Sequence, residues 1–154
     1  MAGKGNGSSS VAMAVARIIV GVVFLFFAQY KLMGHDFAHG GYTKYVTGYV
    51  QESAVPAYKP FLRATLKYPT ASGYAVGMAE LLIGLSMVLG FWVRPFAIVG
   101  ALFMTNLLLS TWMLPQGVPL WRYFGNELDN IGLLLLFILF FAHRAGETLG
   151  LDGR

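Results

Sequence analysis

Residues 73–92, GYAVGMAELLIGLSMVLGFW, decide the fold. The stretch is apolar enough to lie in lipid, and at about 20 residues it is long enough to cross the hydrocarbon core as a helix. A carboxylate, Glu80, stands near its middle. Gly73, Gly77, Glu80 and Gly84 follow i, i+4, i+7, i+11 and therefore share one helical face. Small residues on that face let a second helix approach closely. Glu80 is thus expected to face protein rather than lipid. An ionisable group at such depth is costly and points to a partner and a functional site.

The rest of the chain has the same character. Of 154 residues, 56% are hydrophobic and 12% charged, against about 25% charged in soluble domains. A core of this size could not hide so much apolar surface from water. Further apolar runs occupy Val11–Tyr30, interrupted by Arg17, and Phe96–Leu114, which holds Asn106. A fourth, Ile131–Ala142, reaches spanning length only when begun near Tyr123. Open strand edges cannot sit in lipid, so the spans are helices. The expectation is an all-α, integral-membrane, up-down four-helix bundle with spans at 11–33, 71–93, 95–114 and 123–143. Residues 1–10 and 144–154 read as tails, and 11–152 as one domain.

The long first loop, 34–70, carries Tyr42, Tyr45, Val46 and Tyr49 at helical spacing, and FLRATLKY at 61–68 is amphipathic. One or two interfacial helices are expected there. The chain lacks cysteine, which excludes thiolate metal sites and dithiol chemistry within it. Its net charge of +4 suits anionic headgroups; no recognition motif suggests nucleic acid. Lipid is the expected solvent, with other membrane subunits as partners.

Arg17, Gly21, Phe24, Ala28 and Lys31 repeat the 73–84 spacing on the first helix, so these two faces are expected to meet. Counted at about 1.5 Å per residue, Glu80 lies about 14 Å from the long-loop face, with Asn106 level and Arg17 about 7 Å further. An Arg17–Glu80 pair assisted by Asn106 follows. It either fixes helix register or forms the floor of a pocket for a polar headgroup such as a quinone, or relays a proton. Lys31 falls near the long-loop interface, where it can snorkel. Asp129 and Asn130 either cap the fourth helix or line the mouth of the same pocket, facing Lys31. His35, Asp36 and His39 contain an H-x₃-H spacing, but the flanking glycines and the lack of a third ligand favour solvated interface residues over metal. No metal is expected, and no covalently bound cofactor. GxGxxG, P-loop, G-x-S-x-G and HExxH motifs are absent.

The segments ARIIVGVVFLFFAQYKLMG (16–34), GMAELLIGLSMVLGFWVRPFAIVGAL (77–102) and DNIGLLLLFILFFAHRAGETLGLD (129–152) together resemble the DoxX/DoxD family of small four-helix membrane proteins. The resemblance implies a multi-pass protein of a bacterial or archaeal inner membrane. DoxD relatives form the large subunit of thiosulfate:quinone oxidoreductase with a smaller partner, and some DoxX relatives associate with other redox enzymes. Arg17, Lys31 and Glu80 match the family's recurrent polar positions. The expected role is a subunit of a quinone-linked redox complex, with a non-catalytic scaffold subunit as the alternative.

Overall fold

The structure, a computed structural model, describes residues 6–113 and 119–153. The described residues hold no strand, and their α-helices are α1 (Asn6–Met33), α2 (Tyr42–Gly48), α3 (Lys59–Thr65), α4 (Pro69–Leu89), α5 (Val93–Thr111), α6 (Leu120–Asn126) and α7 (Leu128–Ala142). Among them α1, α4 and α5 are long and apolar enough to cross a membrane, while α7 is apolar and shorter, at 15 residues.

α1 and α4 lie antiparallel, and glycine sets their separation. A Cβ on Gly21 would stand 2.8 Å from the Met87 Cβ and from the Val88 nitrogen; one on Gly84 would stand 3.0 Å from the Gly21 carbonyl oxygen. Neither backbone can yield, so only glycine permits this approach. The facing residues on α1 are buried, with Val20, Phe24 and Ala28 at 4%, 2% and 0% exposure. The faces expected to meet do meet. α5 packs against α7, with the Phe137 ring seated where a Gly100 side chain would be. Ile83, Met87, Met104 and Phe140 join the two pairs in one core.

Several boundaries differ from expectation. The expected spans 71–93 and 95–114 are Pro69–Leu89 and Val93–Thr111, because left-handed backbone at Gly90 and Trp92 turns the chain before residue 93. α1 begins at Asn6, so residues 6–10 of the expected tail are helical: once the apolar run nucleates the helix, extending it is easy. The expected span 123–143 is broken at Glu127, whose backbone (φ −105°, ψ 6°) leaves helical geometry between α6 and α7. Gly125 and Asn126 weaken the helix at that point, and the Glu127 side chain turns inward, 1% exposed. Residues 144–153 are not a free tail. They fold back under the α4–α5 turn, where Asp152 accepts hydrogen bonds from the Trp92 and Val93 amides at 2.7 and 2.9 Å. Those are first-turn amides of α5, a helix with no side-chain cap of its own. The ends of the expected first tail and third span, residues 1–5 and 114, lie outside the described residues.

Residues 34–68 are largely helical, with a kink at His39–Gly40, and enclose a small core of Phe37, Tyr42, Val46, Ala54 and Leu62. This cover lies across α4 and the end of α5. The Val55 amide donates to the Leu109 carbonyl at 2.9 Å and the Ser53 hydroxyl to the Ser110 carbonyl at 2.9 Å. It thereby supplies donors to carbonyls that the end of α5 leaves unpaired.

Candidate functional site

Glu80 is 3% exposed, and its partner is Lys31, not Arg17. The Lys31 ammonium donates to Glu80 Oε1, while Oε2 is buried with no hydrogen-bond partner. The ammonium also stands 5.8 Å from the centre of the Phe27 ring and 5.2 Å from that of Phe37, a cation–π setting that holds charge in apolar surroundings.

The expected Arg17–Glu80 pair does not form, and the reason is register. Arg17 packs against Gly90, ten residues beyond Glu80 and so about 15 Å away along α4. Depths counted from common membrane faces fail because α1 extends well past the end of α4. Arg17, 0% exposed, instead donates from Nη2 to the Leu149 carbonyl at 2.9 Å, within the field of Asp152. It ties α1 to the α4–α5 turn and the C-terminal segment. Asn106 is also elsewhere: its Oδ1 accepts from the Tyr58 hydroxyl at 2.5 Å, holding the cover to α5. Burial holds the Tyr58 phenol above its ordinary range, and Tyr42 adds to the effect; Tyr49 is raised by burial too.

Asp129 and Asn130 do come to the Lys31–Glu80 site. All four residues line a cavity of about 190 Å³ between α1, α4, α5 and α7. Asn130 Nδ2 donates to Glu127 Oε2 at 3.0 Å, and the Thr111 hydroxyl donates to the same oxygen at 2.8 Å. A larger cavity, about 680 Å³, lies under the cover and is chiefly apolar, with Tyr30, Tyr42, Tyr45 and Tyr49 among its walls. Phe27, Lys31, Phe103 and Leu107 line both cavities. Lys31 is the polar group shared between the two.

The family model named DoxX matches residues 12–113, more than half of the chain. The chain belongs to the DoxX family. No curated protein and no solved structure matches it. The matched region of this DoxX chain contains Lys31, Glu80 and both shared phenylalanines, whereas Glu127, Asp129 and Asn130 lie beyond it. The small cavity is therefore built by the matched helices and closed by α7.

His35 and His39 stack with ring centres 4.3 Å apart, and His39 Nδ1 bonds the His35 carbonyl at 3.0 Å. Among the described residues no cluster of three or more His, Asp or Glu could hold a metal ion. Sequence reasoning singled out neither Glu127 as a buried acid nor Asp152 as a helix cap. The uncapped start of α5 was a signal for the second, since its first amides need an acceptor from somewhere. No pattern pointed to Tyr58.

Proposed function

We propose that this DoxX protein crosses the membrane with four helices, α7 included, and that it serves as a subunit of a quinone-linked redox complex in a bacterial or archaeal inner membrane. The observation that carries the proposal is the buried Lys31–Glu80 pair, whose two residues line a cavity of about 190 Å³ and whose second carboxylate oxygen has no hydrogen-bond partner. An orphaned acceptor at this depth is expensive unless something occupies it. In this reading a flat headgroup lies against Phe27 and Phe103, which line both cavities. The 680 Å³ apolar cavity, within the usual range of ligand sites, suits an isoprenoid tail.

A quinone, when bound, supplies paired electron and proton transfer. The chain's own residues do the rest. Lys31 presents ammonium N–H donors to a carbonyl oxygen, and Glu80 Oε2 holds or releases a proton beside it. The phenylalanines surround the pair with apolar surface and strengthen both interactions. In this reading the electron route passes to partner subunits.

Mass spectrometry of quinone extracted from the protein purified in mild detergent tests this. Quinone should co-purify, and Glu80→Gln or Lys31→Met should each lower its content about tenfold, the loss expected from one charge-assisted hydrogen bond. Equal quinone content in both variants refutes the site. The alternative, a scaffold subunit whose Lys31–Glu80 pair only fixes the close α1–α4 register, predicts that equality, together with weakened assembly of the complex.

A further inference from the structure

The small cavity has a direction. Glu80, 3% exposed and with Oε2 unpartnered, lines it together with Phe24, Met104 and Leu133. Asp129, exposed at the start of α7, lines the same cavity; α7 starts level with the end of α5, where Thr111 bonds Glu127 and where the cover bonds Leu109 and Ser110. Asn130 lies beside it, fixed by its bond to Glu127. A volume of about 190 Å³ is several times the roughly 30 Å³ that one water occupies in the liquid. The carboxylates, the carboxamide and the ammonium give such waters partners. On the other side of Glu80 the described residues pack closely. Gly21 and Gly84 bring the α1 and α4 backbones into contact, and Ile83, Met87 and Phe137, each 0% exposed, fill the space below.

We propose that this cavity is a one-sided proton path, through which Glu80 exchanges protons with the aqueous phase on the side of the 34–68 cover and not with the opposite side. The proton comes from and returns to water. The charged groups that line the cavity with Glu80 are Lys31 from α1 and Asp129 from α7; from the cover segment packed on α4, Phe37 meets Lys31 and His39 meets Tyr74, six residues before Glu80. α5 presents Phe103, Met104 and Leu107, and so adds no titratable group. Glu127 acts one residue removed, by holding Asn130 in place. When Glu80 takes a proton, the charge left on Lys31 rests against the Phe27 and Phe37 rings. The path goes beyond the quinone reading and does not depend on it, since any chemistry at Glu80 would need proton exchange.

Dicyclohexylcarbodiimide, which modifies protonated carboxyl groups in apolar surroundings, gives the test. The chain has no cysteine, so a Lys67→Cys substitution at an exposed site of the cover, reacted with an impermeant maleimide, reports which compartment the cover faces. Right-side-out and inverted membrane vesicles are then given a pH step on one side, and Glu80 modification is followed by mass spectrometry. Modification should change about tenfold per pH unit, on the alkaline limb of the titration, with the pH of the cover side alone. Modification that follows the opposite side, both sides equally or neither overturns the proposal. Failure to find bound quinone refutes the preceding section and leaves this result intact.

Discussion

Lys31→Met tests the central pair most sharply. The Glu80 side chain is 4% accessible and that of Lys31 16%, so water screens their attraction weakly. Two unit charges about 4 Å apart at an effective dielectric of about 20 attract by about 4 kcal/mol. Breaking a buried pair from one side costs about 3–5 kcal/mol, because the remaining charge is left uncompensated. At about 2–4 °C per kcal/mol for a chain of this length, Lys31→Met should lower the unfolding midpoint by at least about 6 °C. Circular dichroism of the detergent-solubilised protein at neutral pH measures it. The Lys31→Met/Glu80→Gln double variant removes both charges and keeps similar volume, so it should recover more than half of the loss. A double variant no more stable than the single one would show that the stranded carboxylate is not the cause, and the reasoning would fall.

Gly21→Ala places a Cβ against the Met87 side chain and the Val88 backbone, and should cost about 1–3 kcal/mol, read as a lowered midpoint in the same melt. Asp152→Ala strips the acceptor from the Trp92 and Val93 amides, costs about 1–2 kcal/mol, and should make residues 144–153 more susceptible to carboxypeptidase. Tyr58→Phe removes the bond to Asn106 and should cost about 1 kcal/mol at neutral pH. Its pH dependence has a definite sign. Because Tyr58 is raised in the fold, the folded state binds the phenolic proton more tightly than the unfolded chain does. The wild type should therefore lose stability as pH climbs above about 10, and the variant should lose less. An alkaline melt series on the two proteins checks it.

The apolar runs and the glycine face around Glu80 were legible because helix period and lipid solubility leave few alternatives. The helix that meets this face was also legible, from the matching spacing on α1. The counter-ion was not. Arg17 and Lys31 share that spacing, and choosing between them requires the offset between α1 and α4, which is set by where the glycine contacts interlock. Asp129 and Asn130 could be placed at the mouth of a pocket by topology alone. Glu127 could not, because its burial depends on the break between α6 and α7, which exchanges helix continuity for side-chain bonds to Thr111 and Asn130. The cover was read as interfacial helices from its aromatic spacing. That it would enclose a core of its own and pair with α5 carbonyls depends on contacts far apart in sequence.

The tie between Arg17 and the Leu149 carbonyl joins one of the first turns to be synthesised to one of the last segments. During biosynthesis, α1 enters the membrane with its guanidinium lacking this acceptor, and it keeps that deficit until nearly the whole chain has been made. Lys31 meets Glu80 far sooner, once α4 emerges. Assembly is thus ordered in time: the pair at the site closes early, and the far end of α1 is secured only when translation is almost complete. A chain truncated before residue 149 would keep the Lys31–Glu80 pair and leave Arg17 without its carbonyl acceptor.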